Sequence, residues 1–357
     1  MVMYVLEYIW LDSDNEFRSK TKVIHTDDRL KDSPIWNYDG SSTGQATGTD
    51  SEIFLKPVAH FRDPFRNDVD NIIYLLVLCE TYDKFGKPLN NHRKTATEIH
   101  EKYSEQEPWF GLEQEYFILD NDTRLPLGFI TKNNQPKPQA KYYCGIGTGR
   151  ALGRKFAEKH LELCLKTGLK ISGINAEVAP GQWEFQIGPL STVYVGDHLM
   201  IARYILVRLA EEYGYCISFH PKPLGKDADW NGSGCHVNFS TKKMREEKGI
   251  EEINHAISNL EFYHNMHMQH YGKDNDQRLS GKHETSNMHR FTTGRGNRGA
   301  SIRIPNETIN NGCGYFEDRR PAANIDPYLV CSLILQGVND EQNMRAKACI
   351  NNLDFII

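Results

Sequence analysis

The chain has 357 residues, with 42 Lys and Arg against 47 Asp and Glu, a net charge of -5, and 39% hydrophobic residues. A globular chain of this length can bury roughly 75% of its unfolded surface and divides into two domains or so. Its mild acidity excludes a nucleic-acid binder that relies on a general positive field. Its longest apolar run, Ile72 to Cys79, excludes a membrane helix, which needs about 20 residues.

The opening stretch MVMYVLEYIWLD has no basic start, carries Glu7 and lacks a small-residue cleavage site, so it reads as a first strand, not a signal segment, and the expected location is the cytoplasm. Tyr4 to Asp12, Thr21 to His25 and Asn71 to Glu80 are predicted strands. Between the last two lies a polar, Gly-rich loop from Trp36 to Glu52, of a length that is usually functional. Phe85 to Arg93, with Gly86 and Pro88, reads as a linker.

Beyond the linker, helices alternate with strands. Thr95 with Glu98 reads as a capping box. Leu152, Phe156 and Leu163 share one face of a helix ending at Gly168; Asp197 reads as the cap of a helix through Leu206, Leu209 and Tyr213 to Gly214. A third helix is predicted from about Ile250 to Gly272, and a fourth from Asp326-Pro327, with Pro at the first helical position. The predicted strands are Trp109 to Leu119, Trp183 to Ile187, Tyr215 to Phe219, Cys235 to Ser240, Ser301 to Pro305 and Gly314 to Glu317. The eight cysteines (79, 144, 164, 216, 235, 313, 331, 349) are scattered without a CxxC pair, which favours reduced, mostly buried thiols.

Three patterns lead nowhere. Gly40 to Gly44 fits G-x-S-x-G, but no helix follows it. Cys144 to Arg150 has three alternate glycines at the wrong spacing for a dinucleotide fingerprint. His264, His267 and His270 recur every third residue, yet no acid or thiol completes a metal set, so a solvated amphipathic helix is the expectation.

The carboxylates carry the chemistry. Glu113 and Glu115 are two apart on one strand and share a face, and Glu184 sits among Trp183, Phe185 and Ile187, where an unpaired charge is costly. Glu177 precedes a turn, His236 and Asn238 share a strand face, and Glu317 lies between Phe316 and Arg319-Arg320. For the first pair alone a solvated acidic face is the simpler reading. Together, five glutamates and one histidine suit hard divalent cations, Mg²⁺ or Mn²⁺ before zinc. Opposing them are Arg278, Lys282, Arg290, Arg295, Arg298, Arg303, Arg319 and Arg320. Cations beside a carboxylate-held metal are what phosphoryl transfer requires. The residues alone define a metal-dependent, nucleotide-using enzyme.

The motifs YIWLD, WNYDGSST, WFGLEQEY, NAEVAPGQWEFQIGP, HPKP, NGSGCHVNFST, RLSGKHETSN, NRGASIRIP and GYFEDRRPAANIDPYLV follow one another in order from about Tyr8 to Val330. This set resembles the eukaryotic-type (class II) glutamine synthetases. The resemblance implies an α+β fold: a β-grasp domain over residues 1–86, then a catalytic domain with a curved antiparallel sheet over 87–357. It implies ligation of ammonium to glutamate through a γ-glutamyl phosphate, with ATP as co-substrate and two or three Mg²⁺ or Mn²⁺ ions per site. It also implies a homo-oligomer of two stacked pentameric rings, with active sites between neighbouring subunits.

By similarity, Glu115, Glu177 and Glu184 hold one metal and Glu113, His236 and Glu317 the other. Arg298 and Arg303 match arginines near the transferred phosphate and glutamate, Arg319 one facing the phosphates, and Arg278 one binding glutamate, with Asn231 and Gly232 beside it. Glu284 matches the flap residue over the ammonium site and Asp39 the aspartate lent by the adjacent subunit. Trp109 and Tyr315, with Arg303, match the nucleotide site. Two positions depart from the family pattern: Asn306 replaces an arginine, and Arg295-Gly296 replaces an apolar-Ala pair. Two rival readings are a ligase using another amine and a structural or regulatory relative without activity; the presence of all six ligands speaks against the second.

Overall fold

A computed structural model describes residues 1–89, 92–129, 136 and 141–340. The first sheet contains β1 (Val2–Leu11), β2 (Phe17–Thr26), β3 (Trp36–Asp39), β4 (Glu52–Arg62), β5 (Ile72–Tyr82) and β6 (Pro88–Leu89). Its order is β2-β1-β5-β4-β3, with β6 on β5; β1 and β5 run parallel and the other pairs antiparallel. Alternation along β1 and β5 decides its two faces. Leu6, Tyr8, Trp10, Val77 and Cys79 close over Tyr38 and Leu55, while Ile9, Leu76 and Leu78 turn to the main core.

The larger sheet contains β7 (Trp109–Asp120), β8 (Ile171–Ala176), β9 (Gln182–Leu190), β10 (Tyr215–Ser218), β11 (Cys235–Ser240), β12 (Thr293–Arg295), β13 (Ile302–Ile304) and β14 (Phe316–Asp318). Its order is β12-β13-β14-β11-β7-β9-β8, with β10 also on β7. It is antiparallel, as expected, except for the short β12–β13 edge pair, which is parallel. The helices are α1 (Arg93–Tyr103), α2 (Arg154–Thr167), α3 (Thr192–Tyr213), α4 (Lys242–Arg245), α5 (Gly249–Phe262), α6 (His264–His270), α7 (Asn306–Asn311) and α8 (Pro327–Val338). In α3, buried residues run from Thr192 to Ala210 around most of the helix, as expected of one enclosed on all sides. It packs against α1, α2, α8 and the larger sheet. Among the described residues no helix is long and apolar enough to cross a membrane.

The α+β class and the strand-rich beginning are as expected; several details differ. The Trp36–Glu52 segment has structure of its own: β3, then a 3-10 turn over Gly40–Thr43 capped by Asp39. Polar groups build it, since the Gly40 amide bonds the Ser51 carbonyl and Gln45 ties Tyr38 to the Leu11 carbonyl. No α-helix follows Gly44, as the rejection of the serine motif required. β4 escapes the sequence reading because Pro57 interrupts its pattern at a bulge. β8, β12 and α7 are also additional elements, all short. Within the supposed linker, residues 83–87 form a turn and Pro88–Leu89 pairs with β5; residues 90 and 91 lie outside the described residues.

Two caps are corrected. α1 starts at Arg93, so Thr95 and Glu98 are inside it and form no capping box. α3 starts at Thr192, so Asp197 is interior, where it accepts from Arg93 Nε at 2.7 Å, Arg93 Nη2 at 2.9 Å and the Tyr328 hydroxyl. A buried acid with a tertiary partner has overridden a capping preference. The third predicted helix breaks at Tyr263 into α5 and α6. Among the described cysteines all are free; Cys79, Cys164, Cys235 and Cys331 are buried, Cys216 and Cys313 partly so, and Cys144 is exposed. Cys349 lies outside the described residues.

Arg93 also reaches Glu80 at 3.3 Å, so one guanidinium serves two buried acids from different parts of the fold. Arg93→Met leaves both without this cation and is expected to destabilise the protein by about 3–5 kcal/mol, read as a lower urea midpoint. An unchanged midpoint would show that the pair is not a structural tie.

Candidate active site

Strand register assembles the site. His236 on β11 lies opposite Glu113 on β7; Glu115 lies opposite Glu184 on β9, which lies opposite Asn175 on β8. On the other side, Asn238 lies opposite Glu317 on β14, which faces Arg303 on β13. Residues directly opposite share a sheet face, so six strands deliver acids, amides and an imidazole to one side. The resulting cleft, about 500 Å³, is lined by Glu113, Glu115, Glu177, Glu184, His236, Asn231, Gly232, Glu284 and four arginines: 278, 298, 303 and 319.

Glu113, His236 and Glu317 offer ligand atoms that all lie within 4.8 Å of one another. His236 Nδ1 is 3.5 Å from Glu113 Oε2 and 3.6 Å from Glu317 Oε1, and it is buried without a hydrogen-bond partner. Burial, reinforced by Arg319, holds this imidazole well below its usual pKa, hence neutral. A neutral imidazole nitrogen facing two carboxylates in a closed site fits a divalent cation. Glu317 is itself fixed by two guanidiniums, Arg303 Nη1 and Arg319 Nη1, each at 2.7 Å from a different oxygen.

Glu115, Glu177 and Glu184 line the same cleft. Glu115 Oε2 accepts from the Gly234 amide at 2.9 Å and Gln182 Nε2 at 3.1 Å; Glu177 accepts from Asn175 at 2.8 Å and Glu184 from Gln186 at 2.7 Å. Burial first, and repulsion from neighbouring carboxylates after it, push the three acids up to about 7, 8 and 9. Without cations, such a group holds protons at neutral pH.

Arg278 is buried in the cleft wall, donating to the carbonyls of Arg319, Arg320 and Pro321 at 3.0, 2.7 and 2.9 Å. Gly232 and Gly234 permit its approach. A Cβ at Gly232 would sit 2.1 Å from the Pro221 carbonyl and 2.8 Å from Arg278 Cγ, and one at Gly234 would sit 2.8 Å from His236 Nε2. Glu284 and His283 both have positive φ, 59° and 53°, which sets the backbone of this loop, and the Glu284 carbonyl accepts from Arg319.

Trp109 and Tyr315 are outside this cleft, in an adjoining cavity of about 410 Å³ that shares Glu113 and Gln186 with it. Arg245 stacks on Trp109 at 3.8 Å from the ring centroid. Arg303 belongs to the carboxylate cleft and not to this cavity. Asp39 does not line the cleft of its own chain. Its exposed carboxylate accepts from the Ser41 amide and hydroxyl and the Ser42 hydroxyl, and these bonds hold it well below the usual range.

Other expectations need correction. Lys282, Arg290, Arg295 and Arg320 do not line the cleft. Arg320 is fully buried, forked onto Asp318 at 2.9 and 2.7 Å and touching His264 Nδ1 at 3.2 Å and His267 Nδ1 at 3.4 Å. Hence His264 and His267 are buried acceptors for an arginine, not residues of a solvated face. Sequence reasoning did not assign Asn175, Gln182, Gln186 or Gly234. A signal for the glutamines was available, since Gln182, Glu184 and Gln186 alternate on one strand face. The departures Gly296 and Asn306 meet in space, with a Cβ at Gly296 falling 2.8 Å from Asn306 Oδ1, away from the cleft lining.

Residues 87–263 match the family model for the glutamine synthetase catalytic domain. The chain is 52% identical over 339 residues to a putative glutamine synthetase of Acanthamoeba polyphaga mimivirus, covering 94% of each. It is 52% identical to a glutamine synthetase of Agaricus bisporus, covering 92% of each, and 50% identical to one of Neurospora crassa, covering 93% of this chain and 91% of that one. Fold, site and relatives define an ATP-using, metal-dependent ligase. The chain belongs to the glutamine synthetase family, of the eukaryotic type, and carries out ATP-dependent synthesis of glutamine from glutamate and ammonium.

The acids' raised pKa values fix a sign. Their folded values lie above the unfolded value of about 4.3, so their stabilising contribution is full below that pH and is lost as pH rises through about 7 to 9. Protein in EDTA is expected to lose thermal stability from about pH 5 to 9, with the gap to Mg²⁺-loaded protein widening over the same range. A gap independent of pH would refute the reading.

Proposed function

We propose that synthesis proceeds through a γ-glutamyl phosphate, with Mg²⁺ or Mn²⁺ held by Glu113, His236 and Glu317 on one side and by Glu115, Glu177 and Glu184 on the other. The observation carrying this is the orphaned His236 Nδ1 between two carboxylates, one of them clamped by Arg303 and Arg319. Bound divalent ions would neutralise the acids and supply Lewis-acid stabilisation of charge on phosphoryl oxygens. The chain's own residues do the rest.

Glutamate's carboxylate is a poor acyl donor until phosphorylation converts one oxygen into a leaving group. Arg298, Arg303 and Arg319, converging on one cleft, oppose the charge that spreads over the transferred phosphoryl oxygens. Arg278, with Asn231 and Gly232, forms the wall that receives the amino acid. Trp109 and Tyr315 offer the neighbouring apolar cavity to the nucleotide base, sharing Glu113 with the phosphate side. Glu284, on the flap, closes the cleft against water, which would otherwise hydrolyse the acyl phosphate.

Ammonium must lose a proton to attack. Asp39, held ionised by its serine bonds, attracts the ammonium cation and helps it lose its proton. That Asp39 lies outside its own chain's cleft supports a place in a neighbour's site, and two stacked pentamers are the proposed assembly. The proposed domain boundary falls between residues 86 and 87, supported by α1 starting at Arg93, with β6 extending the first sheet as far as Leu89. Free thiols on the described residues support a reducing compartment, the cytoplasm.

The test is glutamine formation from ATP, glutamate and ammonium. Asp39→Ala and Glu284→Ala should each lose about 10²–10⁴-fold in kcat. Subunits of the two variants, mixed and reassembled in equal amounts, should regain roughly a quarter of wild-type activity, the share of interfaces with both residues intact. Activity no higher than the two residues' remnants would place Asp39 and Glu284 within one chain's site or outside catalysis. ATP cleavage without glutamine formation would indicate a different amine acceptor.

A further inference from the structure

A second cavity, about 490 Å³, lies between the β1–β2 hairpin, β5, α3, β10 and the segment that begins α8. It equals the carboxylate cleft in size, and the two share no lining residue. Phe17, Leu78, Met200, Val207, Phe219 and Ile325 give it a largely apolar wall, within the range of size and character typical of small-molecule sites.

Arg203 also lines this cavity and is only 7% exposed. Its guanidinium bonds neutral acceptors: Gln114 Oε1 at 2.8 and 2.6 Å, the Ile325 carbonyl at 2.8 Å and the Ala323 carbonyl at 2.9 Å. Among the described residues it forms no ion pair, whereas Arg93 on the same wall has Asp197 and Glu80. The acids nearby are engaged or exposed. Glu80 takes Arg93, Asp326 accepts the Tyr328 and Leu329 amides at 2.8 and 3.1 Å and attracts Arg203 without an ion-pair contact, and Asp14 and Glu16 are exposed on the hairpin. Buried cations are normally paired in contact with an acid; Arg203 is attracted by Asp326 but makes no contact ion pair among the described residues, and an anion on a ligand in this chamber would supply one.

We propose that this cavity is an effector site for a small apolar monocarboxylate, with its carboxylate beside Arg203 and its apolar body among Phe17, Met200, Val207 and Phe219. A route to the catalytic cleft is visible. Gln114, which Arg203 grips by two bonds, lies between Glu113 and Glu115 on β7 and donates to the Glu115 carbonyl at 2.7 Å and the Ala323 carbonyl at 3.0 Å. Drawing Arg203 toward a carboxylate loosens its hold on Gln114 and so shifts the strand that carries two metal ligands.

The probe is benzoate, with benzamide as its uncharged counterpart, titrated calorimetrically into the assembled protein with Mg²⁺ and saturating glutamate. Benzoate is expected to bind once per chain, at least about ten-fold tighter than benzamide, and to change Mg²⁺ affinity by about two-fold or more. Val207→Trp, which fills the chamber, should abolish binding while leaving glutamine synthesis within about two-fold of wild type; if that variant does not fold, Ile217→Trp on the opposite wall gives the same reading. Four results would overturn the proposal: no binding, equal binding of benzamide, binding that glutamate displaces and that therefore belongs to the cleft arginines, or binding unchanged in the filled variants. Binding with unaltered Mg²⁺ affinity would overturn the effector role.

Discussion

Like charges on one face of a sheet set the terms for the rest of this molecule. Glu113 and Glu115 project from β7, Glu184 from β9 and Glu317 from β14, with Glu177 just beyond β8, and their strands are hydrogen-bonded into one surface. The acids cannot move apart without breaking the sheet. They can be accommodated by protons, by arginines or by metal ions, and all three are legible. Protonation is favoured for Glu115, Glu177 and Glu184 when cations are lacking, Glu317 has two guanidiniums, and the Glu113–His236–Glu317 group leaves a buried imidazole nitrogen without a hydrogen-bond partner beside its carboxylates. Metal binding and the structural integrity of the sheet are therefore the same problem.

β14 shows how a short strand serves both the reaction and the fold. Glu317 and Arg319 face the cleft, while Asp318 and Arg320 face the core in a fully buried pair. Arg320 lies between Tyr271 and Phe291, 5.1 Å from each ring centroid, and its carbonyl accepts from Asn275 and Arg278. The strand is only three residues long. Its position depends on this anchorage more than on its ladder.

Much of the fold was legible because alternation and glycine stops report local structure directly: β1, β5, β7, β9, β11, α2 with Gly168 and α8 with Pro327 follow from pattern alone. What the pattern missed was decided by long-range partners. Asp197 looks like a cap until Arg93, 104 residues away, is seen to need it. His264 and His267 look solvated until Arg320 occupies the same space. β4 fails because a bulge at Pro57 breaks the period. The site residues were readable as types, acids on apolar strands, but their convergence depends on register across β14, β11, β7 and β9, which no local signal carries.

Gly232 and Gly234 carry a consequence for how such an enzyme can diverge. One methyl group at either position runs into Arg278, and at Gly234 also into His236, so a single mutation at Gly234 disturbs the buried guanidinium and the buried imidazole together. That side of the cleft is closed to stepwise evolutionary exploration. Tyr143, Thr285 and the exposed Glu284 line it with fewer such constraints. New acceptor specificities would have to arise on their side, while the glycine side is inherited unchanged.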